Sequence, residues 1–437
     1  MDDMADGTRA HALCALLRDP AAILPTGAAW EQACACARRH HLEPYLYFHL
    51  KSHASPGAVP EALLAGLRHQ YHTVAVFNTR LFHDLAAILR LFAAADIPVM
   101  VLKGAYLADT VYPHPGLRPM VDIDLLIHRH DLQRAFAVLA EQGYGPVGEA
   151  GGGRREGETP GMDLRCPEPV DSVQSHLPTL SRPVGAGPAP IPVEVHWTIV
   201  RPGSRLSLVP EALWVRACRV DVAGIATLAL SPEDLLHHLI LHFAADDLFR
   251  PGLLSLLDLA KVIDHFSGRF DWAAFRAIVA EAGSGKHAFL ALSLAAEFFR
   301  PSCLSGELLE SIRPLDCTPE IRGWARNLLL QENDHSAAQA VTMGTIAGPS
   351  GWLNQGRNVL GKIIPPRDEL ADTYGIPARA WRIWLFYPVR WRDLWRRYRK
   401  TMGRVLGGDK ALRAALAIGK DGRNLAEWLN ATSSQKT

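Results

Sequence analysis

Two aspartates interrupt an apolar segment that otherwise has the composition of a buried β-strand. They are Asp122 and Asp124, in the sequence MVDIDLLI. On a strand, residues i and i+2 project from the same face, so we expect the two carboxylates to point together. Like charges this close repel each other unless a positive group lies between them, and a divalent cation with oxygen ligands is one such group. The alternative is that both aspartates cap turns or pair with arginines such as Arg118 and Arg129.

The segments around this pair predict strands and helices in a defined order. Residues 8–96 carry apolar side chains at intervals of three and four, which indicates helices. The runs PVMVLKG, MVDIDLLI and PVEVHW are short and apolar, and each predicts a strand. Between the first two, AYLADTVY predicts a short helix and the proline-rich PHPGLRP a turn. The third strand contains another carboxylate, Glu194, between apolar neighbours.

The same patterns divide the chain into three regions and predict an α+β fold. We expect a helical N-terminal region over 1–97, a core with a small mixed β-sheet over 98–230, and a helical C-terminal region over 231–437. The core contains a Gly/Pro-rich insertion at 145–190. We interpret it as a flexible loop, because its glycines lack the residue order of a phosphate-binding loop.

Two sequence patterns stand out in the C-terminal region, one at its beginning and one at residues 378–404. Ser231 and Asp234 are spaced as a capping box, which predicts the start of a helix. Residues 378–404 interleave tryptophan, tyrosine and arginine. We favour a helix that packs its tryptophans and extends its arginines into solvent over one that contacts a membrane or nucleic acid.

Charge and cysteine usage narrow the class of protein. Lysine and arginine number 46 and aspartate and glutamate 45, so there is no overall basic excess of the kind that favours nucleic acid. No apolar run approaches the length of a membrane-spanning helix. The N-terminal MDDMADGTRAH lacks the apolar stretch of a secretion signal, and the seven scattered cysteines are typical of reduced thiols. These features predict a cytoplasmic protein without a transmembrane segment.

The order of strand, glycine turn, helix, Asp-x-Asp strand and a later strand with an acid resembles the DNA polymerase β-like nucleotidyltransferases. Within that superfamily, three segments are similar to the uncharacterised nucleotidyltransferase family 5: VLKGAYLADTVYPHPGLRPMVDIDLLI, VEVHW and LLHHLILHFAADDLFRPGLLSLLDLAKVI. Two features depart from the superfamily pattern. Its turn is usually Gly-Ser or Gly-Gly, whereas Lys103-Gly104 stands here. Its third acid is more usually Asp, whereas this chain has Glu194.

The resemblance implies a chemistry for the site and roles for its residues. It implies a metal-dependent enzyme that moves a nucleoside monophosphate from an NTP, ATP among them, to an acceptor and releases pyrophosphate. The catalytic carboxylates, which would bind Mg²⁺ or Mn²⁺, are Asp122, Asp124 and Glu194. The groups expected to face the NTP phosphates are Lys103, Gly104 and Arg118. The candidates for an acceptor site, each of which could instead be structural, are His196, His242 and Asp258.

The acceptor and the reaction class have alternatives at this point. The acceptor is a small molecule, a modified peptide or a protein in the leading interpretation. The main alternative is an RNA end such as a tRNA 3′ terminus, as a toxin would modify, but the near-zero net charge does not favour it. A second alternative is a catalytically degenerate scaffold that binds nucleotides, and the presence of all three carboxylates argues against it.

Overall fold

The computed structural model describes residues 2–19, 24–55, 57–147, 175–182, 189–201, 203–250, 252–331, 387–388, 392 and 410–431. By contacts between residues, the chain divides into two compact units, Met1–Arg322 with Leu429–Thr437 and Gly323–Trp428. The predicted boundaries at residues 97 and 230 both fall inside the first unit and remain predictions. The middle of the predicted insertion and nearly all of segment 378–404 lie outside the described residues.

In the part of the chain that the structure describes, seven strands form one mixed sheet. In chain order they are β1 (Val99–Val101), β2 (Ile123–Ile127), β3 (Gly145–Pro146), β4 (Leu180–Ser181), β5 (Val193–His196), β6 (Cys218–Val222) and β7 (Ile225–Ala229). Their order across the sheet is β3-β4-β5-β2-β1-β7-β6. β2 pairs with β5 and β1 with β7 in parallel, whereas the other pairs are antiparallel. The Asp-x-Asp strand thus lies in the middle of the sheet.

Helices precede, interrupt and follow the strands. In chain order they are α1 (Asp2–Arg18), α2 (Ala28–Arg39), α3 (Glu43–His53), α4 (Glu61–Ala94), α5 (Lys103–Tyr106), α6 (Leu132–Glu141), α7 (Pro210–Arg216), α8 (Pro232–Leu241), α9 (Leu253–His265), α10 (Trp272–Glu281), α11 (Gly285–Phe298), α12 (Gly306–Ser311), α13 (Pro319–Leu330) and α14 (Lys410–Asn430). π-helical turns continue α5 and α8, at Leu107–Val111 and His242–Asp246. Every helix described is too short or too polar to cross a membrane.

The core contains the central strands, one face of α4, and helices α8, α9 and α11, which are buried on most sides. All residues of β1 and β2 are buried. α4 buries Leu81, Leu85 and Leu89 at four-residue spacing and packs against α3, α6 and β7. Helices α8 to α11 pack against one another. α8 starts at the predicted capping box, where the Ser231 hydroxyl accepts a hydrogen bond from the backbone N–H of Asp234 at 3.1 Å.

The predicted α+β class, with a mixed sheet and large helical regions, is confirmed. Each of the three predicted strands is present, as β1, β2 and β5. The sequence-based expectation of a loop throughout 145–190 omits β3 and β4, which the two ends of this segment form at the edge of the sheet. The sequence patterns also predicted no strands at 218–229, where the β6–β7 hairpin forms the opposite edge of the sheet.

Candidate active site

Strand pairing brings the predicted third acid next to the Asp-x-Asp motif. β2 and β5 are parallel neighbours, and their register sets Asp124 beside Glu194 and Leu126 beside His196. Residues paired in register project from the same face of a sheet, and so do residues i and i+2 of one strand. Asp124, Glu194 and His196 therefore lie together on one face.

The three side chains form a compact group of metal-ligand atoms. His196 Nε2 lies 3.0 Å from Asp124 Oδ1 and 3.5 Å from Glu194 Oε2. One ligand atom from each residue lies within 4.8 Å of the other two, which no other group of His, Cys, Asp and Glu does in the described chain. Carboxylate oxygens suit Mg²⁺ and Mn²⁺, and imidazole is a common ligand of transition metals. The donor set therefore fits a divalent cation, and we call these three residues the acidic cluster.

Lys103 supplies a positive charge to the acidic cluster from the end of β1. Its Nζ donates a hydrogen bond to Asp124 Oδ1 at 3.0 Å. The backbone N–H of Leu102 donates to the carbonyl of Asp124, which fixes the two segments to each other. Lys103 has a φ of 41°, in the left-handed region that costs a non-glycine residue roughly 1–2 kcal/mol. Its ammonium thus binds a carboxylate in this structure, and its predicted contact with phosphate remains a proposal.

These contacts shift the pKa values within the acidic cluster. Burial by itself raises the pKa of Asp124, but the charge of Lys103 and the hydrogen bond from His196 outweigh burial and hold it well below its ordinary value. The hydrogen bond from His196 likewise lowers the pKa of Glu194. Burial alone would lower the pKa of His196. Its hydrogen bonds to Asp124 and Glu194 have the larger effect and raise that pKa above its ordinary value. Both carboxylates are therefore ionised, which is the form that binds a cation.

Asp122 enters the site from the segment before β2, and not from within the strand as its position predicted. β2 begins at Ile123, and the Asp122 side chain is half-buried. Its carboxylate is not one of the three clustered ligands. Burial and then the charge of Asp124 raise the pKa of Asp122 to about 6, so this carboxyl lies within electrostatic range of the acidic cluster. The assignment of Asp122 as a metal ligand stays a proposal.

Arg118 and Asp258, predicted as a phosphate contact and an acceptor contact, bind each other. Arg118 donates from Nη2 to Asp258 Oδ2 at 2.9 Å and from Nε to Oδ1 at 3.1 Å. The Tyr112 hydroxyl donates to Asp258 Oδ1 at 2.8 Å. The side chains of Arg118 and Asp258 are 14% and 5% exposed. A buried ion pair with parallel hydrogen bonds is a rigid connection. The contacts therefore support a positioning role for both residues, and their predicted contacts with substrate are untested.

Gly104 allows this ion pair to reach the turn after β1. A Cβ at position 104 would lie 2.5 Å from Arg118 Nη1 and 3.4 Å from Met120 Cγ. The Asn78 side chain, in α4, donates to the backbone carbonyl of Arg118 at 2.9 Å. Position 104 must therefore lack a side chain because the Arg118 guanidinium occupies the space. A substrate contact at the turn is not needed to explain the glycine.

We expect Gly104→Ala to lower the free energy of unfolding by about 1–3 kcal/mol, because the new Cβ must displace a guanidinium that Asp258 holds in place. Gly66→Ala is the matched control. Gly66 lies within α4 and has no atom within 4 Å of an added Cβ, so its replacement should raise stability by roughly 0.5–1 kcal/mol. Urea unfolding measures both changes, and equal stabilities of the two variants would contradict the steric explanation.

The π-helical turn after α8 brings charged residues to the site, of which the sequence predicted only His242. His242 Nδ1 lies 3.1 Å from Asp247 Oδ2, and Arg201 Nε lies 2.9 Å from Asp246 Oδ1. Burial and then the charge of Lys103 lower the pKa of His242 to about 4. Burial and then the charge of Asp246 raise the pKa of Asp247 to about 6. π-helical turns are frequent at functional sites, and the adjacent acids in HFAADDL were the available sequence signal.

A cavity of about 390 Å³ lies beyond the carboxyl ends of β2 and β5. Trp197 and Arg201, which follow β5, form part of its wall, and His128 follows β2. Trp214 of α7 stacks on His128 with ring centroids 3.8 Å apart. Arg201 also pairs with Asp246, so the cavity adjoins the π-helical turn. We call it the strand-end cavity.

A mixed sheet in which an Asp-x-Asp segment runs parallel to a strand with a third acid is the arrangement expected of a nucleotidyltransferase. The sequence profile of a family described as uncharacterised nucleotidyltransferase matches residues 26–300. This match covers more than half of the chain, which therefore belongs to that family. Comparisons with curated proteins and with solved structures gave no significant match.

Proposed function

We propose that this chain transfers a nucleoside monophosphate from an NTP to an acceptor. Membership of the family gives the reaction class. The observation that carries the proposal is the register that sets Glu194 beside Asp124, with His196 against both. In the reaction, an acceptor oxygen or nitrogen forms a bond to the α-phosphorus. The bond from that phosphorus to the bridging oxygen of pyrophosphate breaks, pyrophosphate leaves with the electron pair, and the proton of the acceptor passes to a base.

Asp124 and Glu194 would hold the divalent cation, with Asp122 contributing from the preceding segment. His196 would contribute once its Nε2 has lost the proton that it shares with the two carboxylates. Held by these residues, Mg²⁺ or Mn²⁺ would supply positive charge that offsets the negative charge of the transition state. The low pKa values of Asp124 and Glu194 keep both carboxylates anionic at neutral pH, so they bind a cation without first losing a proton.

Lys103 and Glu194 have separate roles in this proposal. The ammonium of Lys103 adds positive charge beside Asp124, where the triphosphate binds. Glu194 accepts the proton of the acceptor, because its side chain is 23% exposed whereas that of Asp124 is 5% exposed. The Thr179 hydroxyl donates to Glu194 Oε1 at 3.3 Å and orients this carboxylate.

The strand-end cavity is the proposed acceptor site. Its volume of about 390 Å³ lies within the range of pockets for small ligands, which favours a small molecule over a folded protein as acceptor. Trp197, Trp214 and His128 line the cavity and give it aromatic surface for a planar or apolar group, and Arg201 offers donors. Arg201 and Asp246 connect this cavity to the π-helical turn near the acidic cluster.

A panel of NTPs with Mg²⁺ or Mn²⁺, and a small-molecule extract as the source of acceptors, tests the proposal. We expect release of pyrophosphate that requires the metal, and a compound in the extract whose mass rises by one nucleoside monophosphate. EDTA should abolish both signals. Binding of NTPs without release of pyrophosphate would favour the scaffold alternative. Transfer to RNA alone would favour a polynucleotide acceptor.

A further inference from the structure

A second cavity, of about 620 Å³, shares no lining residue with the acidic cluster or the strand-end cavity. Its wall is formed by α3, by the C-terminal ends of α1 and α9, and by the segment after α11. Leu17, Leu257 and Phe299 contribute apolar surface. The remainder of the wall contains two arginines and a lysine, and we call this pocket the cationic cavity.

The arginine and lysine side chains that line the described wall are Arg18, Lys261 and Arg300. Arg18 Nε and Nη1 are buried and have no hydrogen-bond partner. Burial and then the charge of Arg300 lower the pKa of Arg18, so the two guanidinium groups repel each other. A buried donor without an acceptor is destabilising, and more so when it is charged. An anion in the cavity would relieve both penalties.

Arg300 has a backbone conformation that side chains other than glycine usually avoid. Its φ is 48°, and it follows the C-cap residue of α11. Its N–H donates to the carbonyl of Ala295 at 3.1 Å. Helices commonly end in this way with glycine, since the Cβ of an L side chain is sterically strained there. Arginine at this position therefore places a guanidinium on the cavity at a cost in backbone energy, and such strain concentrates at functional sites.

The acidic residues of the wall leave an excess of positive charge. Asp264 and Asp19 are its carboxylates, against two arginines and one lysine. Asp264 Oδ1 already accepts hydrogen bonds from the backbone N–H and the hydroxyl of Ser302, both at 2.8 Å. Lys261 Nζ lies 5.0 Å from the centre of the Tyr45 ring, which holds the ammonium in place without neutralising its charge.

A purely structural explanation is that these cations stabilise helix C-termini. Arg18 is the last residue of α1, and a cation at that position interacts favourably with the helix macrodipole. A guanidinium with only that role would be solvated or bonded to terminal carbonyls. Arg18 instead has two buried nitrogens that lack partners, beside a second arginine and a cavity with room for a small molecule. Interaction with the helix dipole explains why a cation stands at the end of α1, but it does not explain the buried nitrogens without partners.

We propose that the cationic cavity binds a small phosphate-bearing molecule. Guanidinium groups bind phosphate oxygens through parallel N–H donors, and lysine adds a point charge, so the wall has the donors that this chemistry requires. The apolar part of the wall reduces screening by water. The proposal does not depend on nucleotidyl transfer at the acidic cluster.

Thermal unfolding in magnesium-free buffer tests the proposal, with inorganic pyrophosphate as the probe and sodium chloride at matched ionic strength as the reference. We expect pyrophosphate to raise the Tm of the wild type beyond the effect of salt. Arg18→Gln should lose most of that rise, and calorimetric titration should give a Kd for pyrophosphate weaker by about tenfold or more. Without pyrophosphate, Arg18→Gln should unfold at or above the wild-type Tm, because the change removes buried guanidinium nitrogens that have no hydrogen-bond partner and relieves the repulsion by Arg300.

Arg68→Gln, on the exposed surface of α4, is the matched control and should respond to pyrophosphate as the wild type does. A rise in Tm that persists in Arg18→Gln would locate the anion elsewhere, for example at the acidic cluster, and would overturn the proposal. The absence of any rise beyond the salt effect would do the same. A lower Tm of Arg18→Gln in pyrophosphate-free buffer would make Arg18 a structural residue and would also overturn it.

Discussion

The Asp124→Asn variant should lose metal-dependent nucleotidyl transfer by about a thousandfold or more, because it removes the ionised carboxylate on which the proposed cation site depends. Asparagine has the same size and can still accept a hydrogen bond from Lys103 or His196. Glu194 and Asp122 remain as carboxylates near Lys103, so the fold should survive with reduced stability, which urea unfolding measures. Pyrophosphate release measures the loss. Binding of Mn²⁺, followed by paramagnetic resonance, should weaken in parallel.

Asp221→Asn is the matched control for this prediction. Asp221 is exposed on β6, and the same chemical change there should leave turnover unaltered. Glu194→Gln should reproduce the loss, since Glu194 is the register partner of Asp124. Turnover by a folded Asp124→Asn variant that lies within about tenfold of the wild type would reject the assignment of the acidic cluster as the catalytic centre.

The strands that carry the acidic cluster were predictable because each is a short apolar run with clear ends. Pro98 precedes β1, and the turn PHPGLRP precedes β2. β5 follows a proline-rich segment and contains Glu194 between valines. Within such runs the alternation of side chains assigned Glu194 and His196 to one face, and the strand register agrees with that assignment.

The β6–β7 hairpin was not predicted, although its sequence contains a usable signal. Ala223 and Gly224 connect the two strands, and both have positive φ, of 53° and 72°. Two-residue connections of this kind match the twist of a hairpin, but their usual sequence is Asn-Gly or Asp-Gly. Alanine at the first position therefore concealed the turn, and the polar residues of β6 weakened the apolar pattern of an edge strand.

The partners of the predicted site residues could not be read from local patterns. Lys103 binds a carboxylate 21 residues away, and Arg118 binds one 140 residues away. Periodicity specifies which face of a helix or strand is buried, but not which side chain it meets. The pairing of Arg118 with Asp258, for example, depends on how α9 packs against the π-helical turn after α5. For the same reason Asp246 and Asp247 were missed. An acidic pair after a helix is usually solvated, and only the π-helical turn places this pair near the acidic cluster.

Replacing Asp258 by asparagine should lower the free energy of unfolding more than Gly104→Ala or Tyr112→Phe does. The change leaves the Arg118 guanidinium in a buried position without a counter-charge and weakens the hydrogen bond from Tyr112. Breaking a buried ion pair in this way costs about 3–5 kcal/mol in the free energy of unfolding. Because the Arg118 guanidinium packs over Gly104, we expect the turn after β1 to loosen as well. Urea unfolding measures the loss, and hydrogen exchange at the turn locates it.

The Tyr112→Phe variant measures the contribution of the Tyr112 hydrogen bond to stability separately from that of the Arg118–Asp258 ion pair. It keeps both charges and should cost only about 1 kcal/mol, because it removes a single hydrogen bond. Arg118→Met combined with Asp258→Leu removes both charges, and its stability should exceed that of Asp258→Asn, since no unpaired charge remains. A loss in Asp258→Asn no larger than that in Tyr112→Phe would mean that Arg118 does not depend on this partner. The guanidinium would then again be a candidate for the phosphate contact that its position in the sequence predicted.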